Sequence, residues 1–511
     1  MEFRYGRRVN SLAARDATMY WLSARTRNDL FLLYGFADTG CGVAELRAGV
    51  AERVTHIPDL LIHVLDTPAN IAYPIWAACE FTNAQFVDHD LGTATWAKVT
   101  AAVGGLLGAG LHADERPWRL HVFRNVSGVP GFATGESALV AVLQLSHALA
   151  DGRRAAVIAR ALFGHSEFPA PDAGWASSPV IRRVLPGKIG ETMLSALAAT
   201  VALPGIPIGM ARTVVRGLAA ARAQRRLAEL TATGELPPPA PDAEPTVLNG
   251  GGAIPAAHAV RMLVCDKNRF LAPGYSVTVV ALTAISLALE HHLRERGDAV
   301  PELRAQVPMA RPAAETGRHG SGDRDDSSGR NGYRDLSVDL AVSEPMPHAR
   351  AARIAAELAA RRERAAHPLQ DAQDAVTAVL PAPLLHREVM RAPIDALPER
   401  VSGHTVVSSV DRGAADLEFG GGAVRFTAGF PALGAVMHLT HGIHGLGDTV
   451  TVSIHADPLV LPDPDRYALL LDSALDEVAD ALRNTEDTAL HPEIRTAPAG
   501  LRPAGAFASG G

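Results

Sequence analysis

Two spacings of apolar residues divide the first third of the chain into short elements. Ala17 to Ser23 has the character of a helix, and Leu30 to Phe36 is an unbroken apolar run that reads as a strand. Residues 42–54, and Trp96 to Gly108, carry apolar positions three and four apart and predict amphipathic helices. Trp118 to Arg124 alternates as a half-buried strand does. Residues 137–145 form a strand around the apolar run Ala138 to Leu143, and the helical period returns from Arg153 to Phe163. Strands separated by helices imply an α/β unit over residues 8–165.

The pattern changes after that. Pro169, Pro171, Pro179 and Pro186 break up the next stretch. Met193 to Ala211 then runs for nineteen residues without a charge, but Pro204, Gly205 and Pro207 interrupt it and Arg212, Arg216, Arg222, Arg225 and Arg226 follow. This segment reads as a buried or interfacial helical hairpin, apolar first and basic second, able to rest on anionic lipid. Leu236 to Pro241 reads as a stiff, exposed linker.

A second set of elements starts near Thr246. Strands are expected at Ala259 to Cys265 and at Ser337 to Val342, with a strand end at Val307 to Pro312 and further strands at Thr405 to Ser409 and Ala423 to Phe426. Met437 to Ile443 and Thr449 to His455 flank Gly445-Leu446-Gly447-Asp448, a hairpin by its turn chemistry. Helices are expected at Ser276 to His292, at Ala351 to Ala366 as a solvated one, and at Asp465 to Arg483. Gly317 to Arg330 reads as a mobile loop. The expected division is 1–165, a helical linker 166–245, a second unit 246–485, and a disordered tail 486–511.

Composition narrows the function classes. The chain has 511 residues, 47% of them hydrophobic and 20% charged, with a net charge of -7. That supports a large core and argues against nucleic acid as a partner. Cys41, Cys79 and Cys265 are scattered and odd in number, which points to a reducing cytoplasm, and no secretory segment opens the chain. His438, His441 and His444 cannot gather on one face of a strand, so they read as surface or tunnel-lining residues and no metal site is expected. Gly250-Gly251-Gly252 and Gly420-Gly421-Gly422 lack the context of a phosphate loop, and Ser137 lacks a nucleophile elbow.

The chemistry centres on Ser146-His147-Ala148-Leu149-Ala150-Asp151-Gly152. His147 stands where a buried strand ends, a rigid place for a general base. Asp151 is close enough to orient the loop, and Gly152 allows a turn that a side chain would resist.

Several elements, in order, resemble the bacterial wax ester synthase/acyl-CoA:diacylglycerol acyltransferase family. That family belongs to the CoA-dependent acyltransferase superfamily, with chloramphenicol acetyltransferase and peptide-synthetase condensation domains. Leu12 to Asp16 with Leu22 looks like its LSxxDxxFL element, and Pro117-Trp118 with His121 like PLWxxH. Ser146 to Gly152 looks like HHxxxDG, and Pro245 to Gly250 like PxTxLN. Val307-Pro308 with Arg311 and Asn331 resemble VPxSxR and GN, and Val407 to Val410 resembles SNVPG. The match spans residues 8–485. The chain departs at Ser146, which replaces the first histidine, and at Thr278-Val279, which replaces an Asn-Asp pair. It departs again at Ser409 and Asp411, which replace the Asn and Pro of SNVPG.

The resemblance implies an α/β (α+β) fold of two chloramphenicol-acetyltransferase-like domains, a mixed sheet in each, with the site between them. It implies acyl transfer from acyl-CoA, a substrate, to diacylglycerol or a long-chain alcohol, with no cofactor. His147 would be the base. Asp151 would point away from substrate and pair with a basic residue, with Ser146 and Gly152 in support. An oxyanion needs a donor, and Ser408, Ser409 and Thr440 are the candidates. Partners would be acyl-CoA, the lipid acceptor and a peripheral lipid surface, an inner membrane or a lipid inclusion. Two alternatives stand: another acceptor, such as a polyketide or glycolipid hydroxyl, or a lipid-binding homologue without turnover.

Overall fold

A computed structural model describes residues 11–164, 188–300, 302–311 and 330–490. The first half opens with α1 (Ala14–Ser23), β1 (Leu30–Ala37), α2 (Val43–Val54), β2 (Ile62–Leu65), β3 (Ile75–Ala78) and β4 (Phe86–Asp88). It continues with α3 (Trp96–Leu107), β5 (Trp118–Val126), β6 (Ala138–Leu145) and α4 (Gly152–Phe163). The bent pair α5 (Lys188–Ala202) and α6 (Gly205–Ala232) follows. Next come β7 (Ala259–Asp266), α7 (Val277–Glu295), β8 (Arg304–Ala310), β9 (Tyr333–Asp339), α8 (Pro347–Ala366), α9 (Asp371–Thr377) and α10 (Ala382–Arg391). The chain closes with β10 (Thr405–Asp411), β11 (Glu418–Phe419), β12 (Gly422–Gly429), β13 (Leu439–Leu446), β14 (Thr449–Ala456) and α11 (Pro464–Leu490).

Two mixed six-stranded sheets result, ordered β11-β12-β1-β6-β5-β4 and β7-β14-β13-β10-β8-β9. β6 is buried along all eight residues, which explains its apolar sequence, broken only at Gln144. Its odd-numbered residues, with α1, α2 and α4, form the core of the first half. Its even-numbered residues Val140 and Val142 join α3 and Val260 and Met262 of β7 in a core shared by both halves. The second sheet buries Val307, Leu336, Val407, Ile443 and Val452 against α7, α8 and α11.

Strand periodicity says that 423–426 is a strand but not which sheet it joins. β12 pairs antiparallel with β1 of the first sheet, so the two sheets do not divide the chain at one position as the expected boundaries do. α8 is not solvated all round. It buries Ala351, Ile354 and Leu358, and its Arg350 pairs with Glu290 of α7 inside the core at 2.6 Å. α5 and α6 do not form a hairpin either. They meet at a 56° bend, because the two residues between the helices, with Pro204 at the break, are too few to reverse the chain. Nor is the pair buried: Met193, Leu197, Val201, Val214, Val215 and Leu218 are exposed. The linker after it is pinned, since Arg364 and Arg361 donate to the carbonyls of Pro237 and Pro238. Of the mobile loop expected at 317–330 all but Arg330 lies outside the described residues, as do the proline-broken stretch and most of the tail, although α11 runs to Leu490.

Candidate active site

The turn between β6 and α4 is fixed from below. Ser146 donates its backbone N–H to Pro117, and its hydroxyl accepts from the Ala148 N–H at 3.3 Å. Ala148, Leu149 and Ala150 are fully buried, which leaves half-buried His147 projecting. Asp151 caps α4 by accepting from the Arg154 N–H at 2.9 Å. Gly152 is simply the first residue of the helix, with no left-handed backbone. A Cβ there would lie 3.7 Å from Val410 of β10, an ordinary contact, so the turn does not require glycine. What Gly152 marks is the approach of α4 to the second sheet.

Residues 330–332 of the second half complete the site. Asn331 is buried, and its amide N–H groups donate to Asp16 Oδ1 at 2.9 Å and to the carbonyl of His147 at 2.8 Å. Its Oδ1 therefore accepts, and lies 2.8 Å from His147 Nδ1. The reverse amide orientation would set an oxygen against two acceptors, so the bonding assigns the proton to Nδ1 and leaves Nε2 with a lone pair. Asp16 in turn accepts from the backbone N–H groups of Arg330 at 2.9 Å and Asn331 at 3.1 Å. A buried carboxylate from α1 thus orients an amide, and the amide orients an imidazole across the two halves. Burial holds the His147 pKa below the ordinary histidine value, opposed by its hydrogen bonds and by Asp151 and Asp16. At neutral pH the ring is neutral, as a proton acceptor must be.

Asp151 does not pair with a basic side chain among the described residues. Its second oxygen accepts from the Gly332 N–H at 3.2 Å, which ties the helix cap to the segment that carries Asn331. The arginines go to Asp59 instead: Arg154 at 2.8 Å and Arg330 at 3.0 Å, with Arg330 stacked over Trp76. Burial works against the Asp59 carboxylate, but the two guanidinium groups outweigh it and keep its pKa below the usual range.

Register sorts the oxyanion candidates. Val406 lies opposite Thr440 and Ser408 opposite Gly442, so residues 406, 408, 440 and 442 share the face turned to the first half. Ser408 is half-buried there, and no hydrogen bond reaches its hydroxyl among the described residues. Thr440 shares that face but is covered, and its hydroxyl donates to Pro431 at 2.8 Å. Ser409 faces the other way, where its hydroxyl accepts from Thr278 of α7 at 3.0 Å.

Residues 333–479, from β9 into α11, match the family description "WS/DGAT C-terminal domain". That match lies wholly in the C-terminal half of the 511-residue chain. The fold agrees over nearly the whole chain. Wax ester synthase/diacylglycerol acyltransferase from Marinobacter aquaeolei VT8 superposes with a TM-score of 0.57 at 14% identity, over 93% of this chain and 100% of that one. The starter condensation domain of rhizomide synthetase, solved with C8-CoA and Leu-SNAC, gives 0.51 at 12% identity, over 93% and 94%. The first condensation domain of the calcium-dependent antibiotic synthetase, with a substrate analogue, gives 0.50 at 14%, over 93% and 97%. No curated protein matches the chain.

The departures from the WS/DGAT motifs fall into place on this frame. Thr278 and Ser409 replace an Asn in each of two separate motifs, and the two bond to each other, so both changes belong to one contact behind β10. Ser146 points into the turn and not toward the site. Asp16 and Asn331 were visible as motif positions, but nothing in one sequence says that residues 315 apart touch. Tyr333 and Asp335 on β9 gave no sequence signal, yet Tyr333 lies 6.0 Å from the His147 ring. His121 is structural: it bonds His89 at 3.0 Å and Gln144 at 3.1 Å, and burial lowers its pKa to about 4. The three late histidines are buried rather than exposed or tunnel-lining. His441 bonds Thr405 and Tyr467, His438 bonds Asp457, and His444 packs beside Arg412.

Proposed function

We propose that the chain is an O-acyltransferase that moves an acyl group from acyl-CoA to a hydroxyl, with His147 as general base. The observation that carries this reading is the relay Asp16–Asn331–His147, which presents the Nε2 lone pair between the halves. Nε2 takes the acceptor's hydroxyl proton as its oxygen attacks the thioester carbonyl. The tetrahedral intermediate collapses, the C–S bond breaks, and the imidazolium returns the proton to the CoA thiolate. No covalent enzyme intermediate and no cofactor is needed. Ser408 is the candidate donor to the oxyanion, and Asp151 holds the relay in place through Gly332.

The matched domain makes diacylglycerol and long-chain alcohols the first acceptors to try, giving triacylglycerol or wax ester. A CoA-bound relative of the same fold supports acyl-CoA as donor. No single helix among the described residues is long and apolar enough to cross a membrane. The exposed apolar stripe of α5 and α6, with Arg212, Arg216 and Arg222 exposed alongside, suits the cytoplasmic face of an anionic membrane or a lipid inclusion. Flotation with phosphatidylglycerol vesicles tests it: Val214→Asp/Val215→Asp should lose the bound fraction, and unchanged flotation would remove the idea.

Mass spectrometry of ester products, with palmitoyl-CoA and a panel of alcohols, tests the activity. An ester from any hydroxyl acceptor supports it. Wild-type protein that forms no ester but still binds acyl chains would instead be a lipid-binding homologue.

A further inference from the structure

The face of the second sheet beside His147 is polar where a channel for a simple fatty alcohol would be apolar. Register places Tyr333, Asp335 and Ser337 of β9 on that face, opposite Ala310, Pro308 and Gln306 of β8. The alternate residues Leu336 and Val338 are buried in the core behind. Asp335 is exposed, and Tyr333 and Ser337 are half-buried, so this end of the face is open although it lies between the halves.

Its polar groups are not satisfied from within. No hydrogen bond or ion pair reaches the Asp335 carboxylate among the described residues, and the buried Ser337 hydroxyl has no partner. Desolvation raises the Asp335 pKa, against the pull of His147 and Arg15, although the residue itself is exposed on β9. A lone alkyl chain laid here would strip water from the Asp335 carboxylate and leave the Ser337 hydroxyl unpartnered, at about 1–3 kcal/mol for the group left unpaired. A headgroup with several hydroxyls would replace that water bond for bond. Asp335 lies two residues along β9 from Tyr333, about 7 Å, roughly the width of one sugar ring. The Tyr333 ring beside His147 offers such a ring a flat apolar surface.

We propose that the hydroxyl attacked with the help of His147 belongs to a polyol or glycosyl headgroup, held on β9 by Asp335 and Ser337. This rests on the acyl-transfer reading above and specifies its acceptor. The test compares octyl β-glucoside with octanol as acceptors for palmitoyl-CoA. Wild-type kcat/KM should favour the glucoside at least tenfold. Asp335→Asn should lower the glucoside-to-octanol ratio about tenfold, and Ser337→Ala about threefold. Each ratio is taken within one preparation, so a loss of folded protein cancels. Octanol used as well as the glucoside, or a ratio unmoved by Asp335→Asn, overturns the proposal and leaves acyl transfer standing. A preference for octylamine overturns it too. If no acceptor supports CoA release, acyl transfer itself fails, and the proposal falls with it.

Discussion

Asn331→Ala is the substitution that separates an oriented base from a histidine that merely sits nearby. It removes the acceptor on His147 Nδ1 at 2.8 Å, the donor to the His147 carbonyl at 2.8 Å, and one donor to Asp16. The Nδ1 bond strengthens as the imidazolium forms, and a hydrogen bond to a charged group contributes about 1.5–3 kcal/mol. At about 1.4 kcal/mol per tenfold, that predicts a kcat lower by roughly 10- to 100-fold, with KM for acyl-CoA little changed. The pH profile is the second readout. Wild-type activity should fall only as pH drops below the ordinary histidine range, because burial already lowers the His147 pKa and the protonated ring cannot accept a proton. The lost Nδ1 bond favours the imidazolium, so Asn331→Ala should move this limb to still lower pH. The assay is CoA release followed with a thiol reagent across pH, for both proteins and for each in a His147→Ala background. In that background the Asn331 change should cost nothing further. A kcat within twofold of wild type, or a limb displaced upward, would refute the relay.

Two predictions concern stability. Arg350→Met leaves Glu290 buried with Arg294 as its remaining partner, and should cost about 3 kcal/mol in urea unfolding. Adding Glu290→Gln should recover much of that, and a single variant within about 0.5 kcal/mol of wild type would show that the pair is not strongly held. A Cβ at Gly442 would meet the Gly429 carbonyl oxygen at 2.4 Å and the His444 ring at 2.6 Å. Gly442→Ala should therefore lose about 1–3 kcal/mol by thermal unfolding, whereas Gly49→Ala, inside α2 with nothing within 4 Å, should lose none. Equal melting temperatures for the two would contradict the packing of β12 on β13.

The regular elements were largely legible in the sequence, because each is a local pattern. β6 announces itself by seven apolar residues in eight, α4 by its return to helical period, and the hairpin of β13 and β14 by Gly445 to Asp448. Sheet membership was not legible, since β12 carries the same alternation whichever sheet it joins. The turn that holds His147 was found, but its supports were not. Asp59 collects the arginines expected at Asp151, and Asn331 reaches the imidazole from 184 residues away. Such pairings are products of folding, and no spacing within one chain encodes them. Side-chain direction was equally hidden: Ser408 and Ser409 are neighbours in sequence and face opposite sides of the second sheet.

The central claim is that His147 takes a proton from an acceptor hydroxyl. Acceptor-dependent CoA release from palmitoyl-CoA, compared between wild type and His147→Ala at equal folded concentration, tests it most directly. The loss of a general base predicts a drop of about 100-fold or more in the acceptor-dependent rate. Acceptor-dependent release that survives His147→Ala undiminished would contradict the claim.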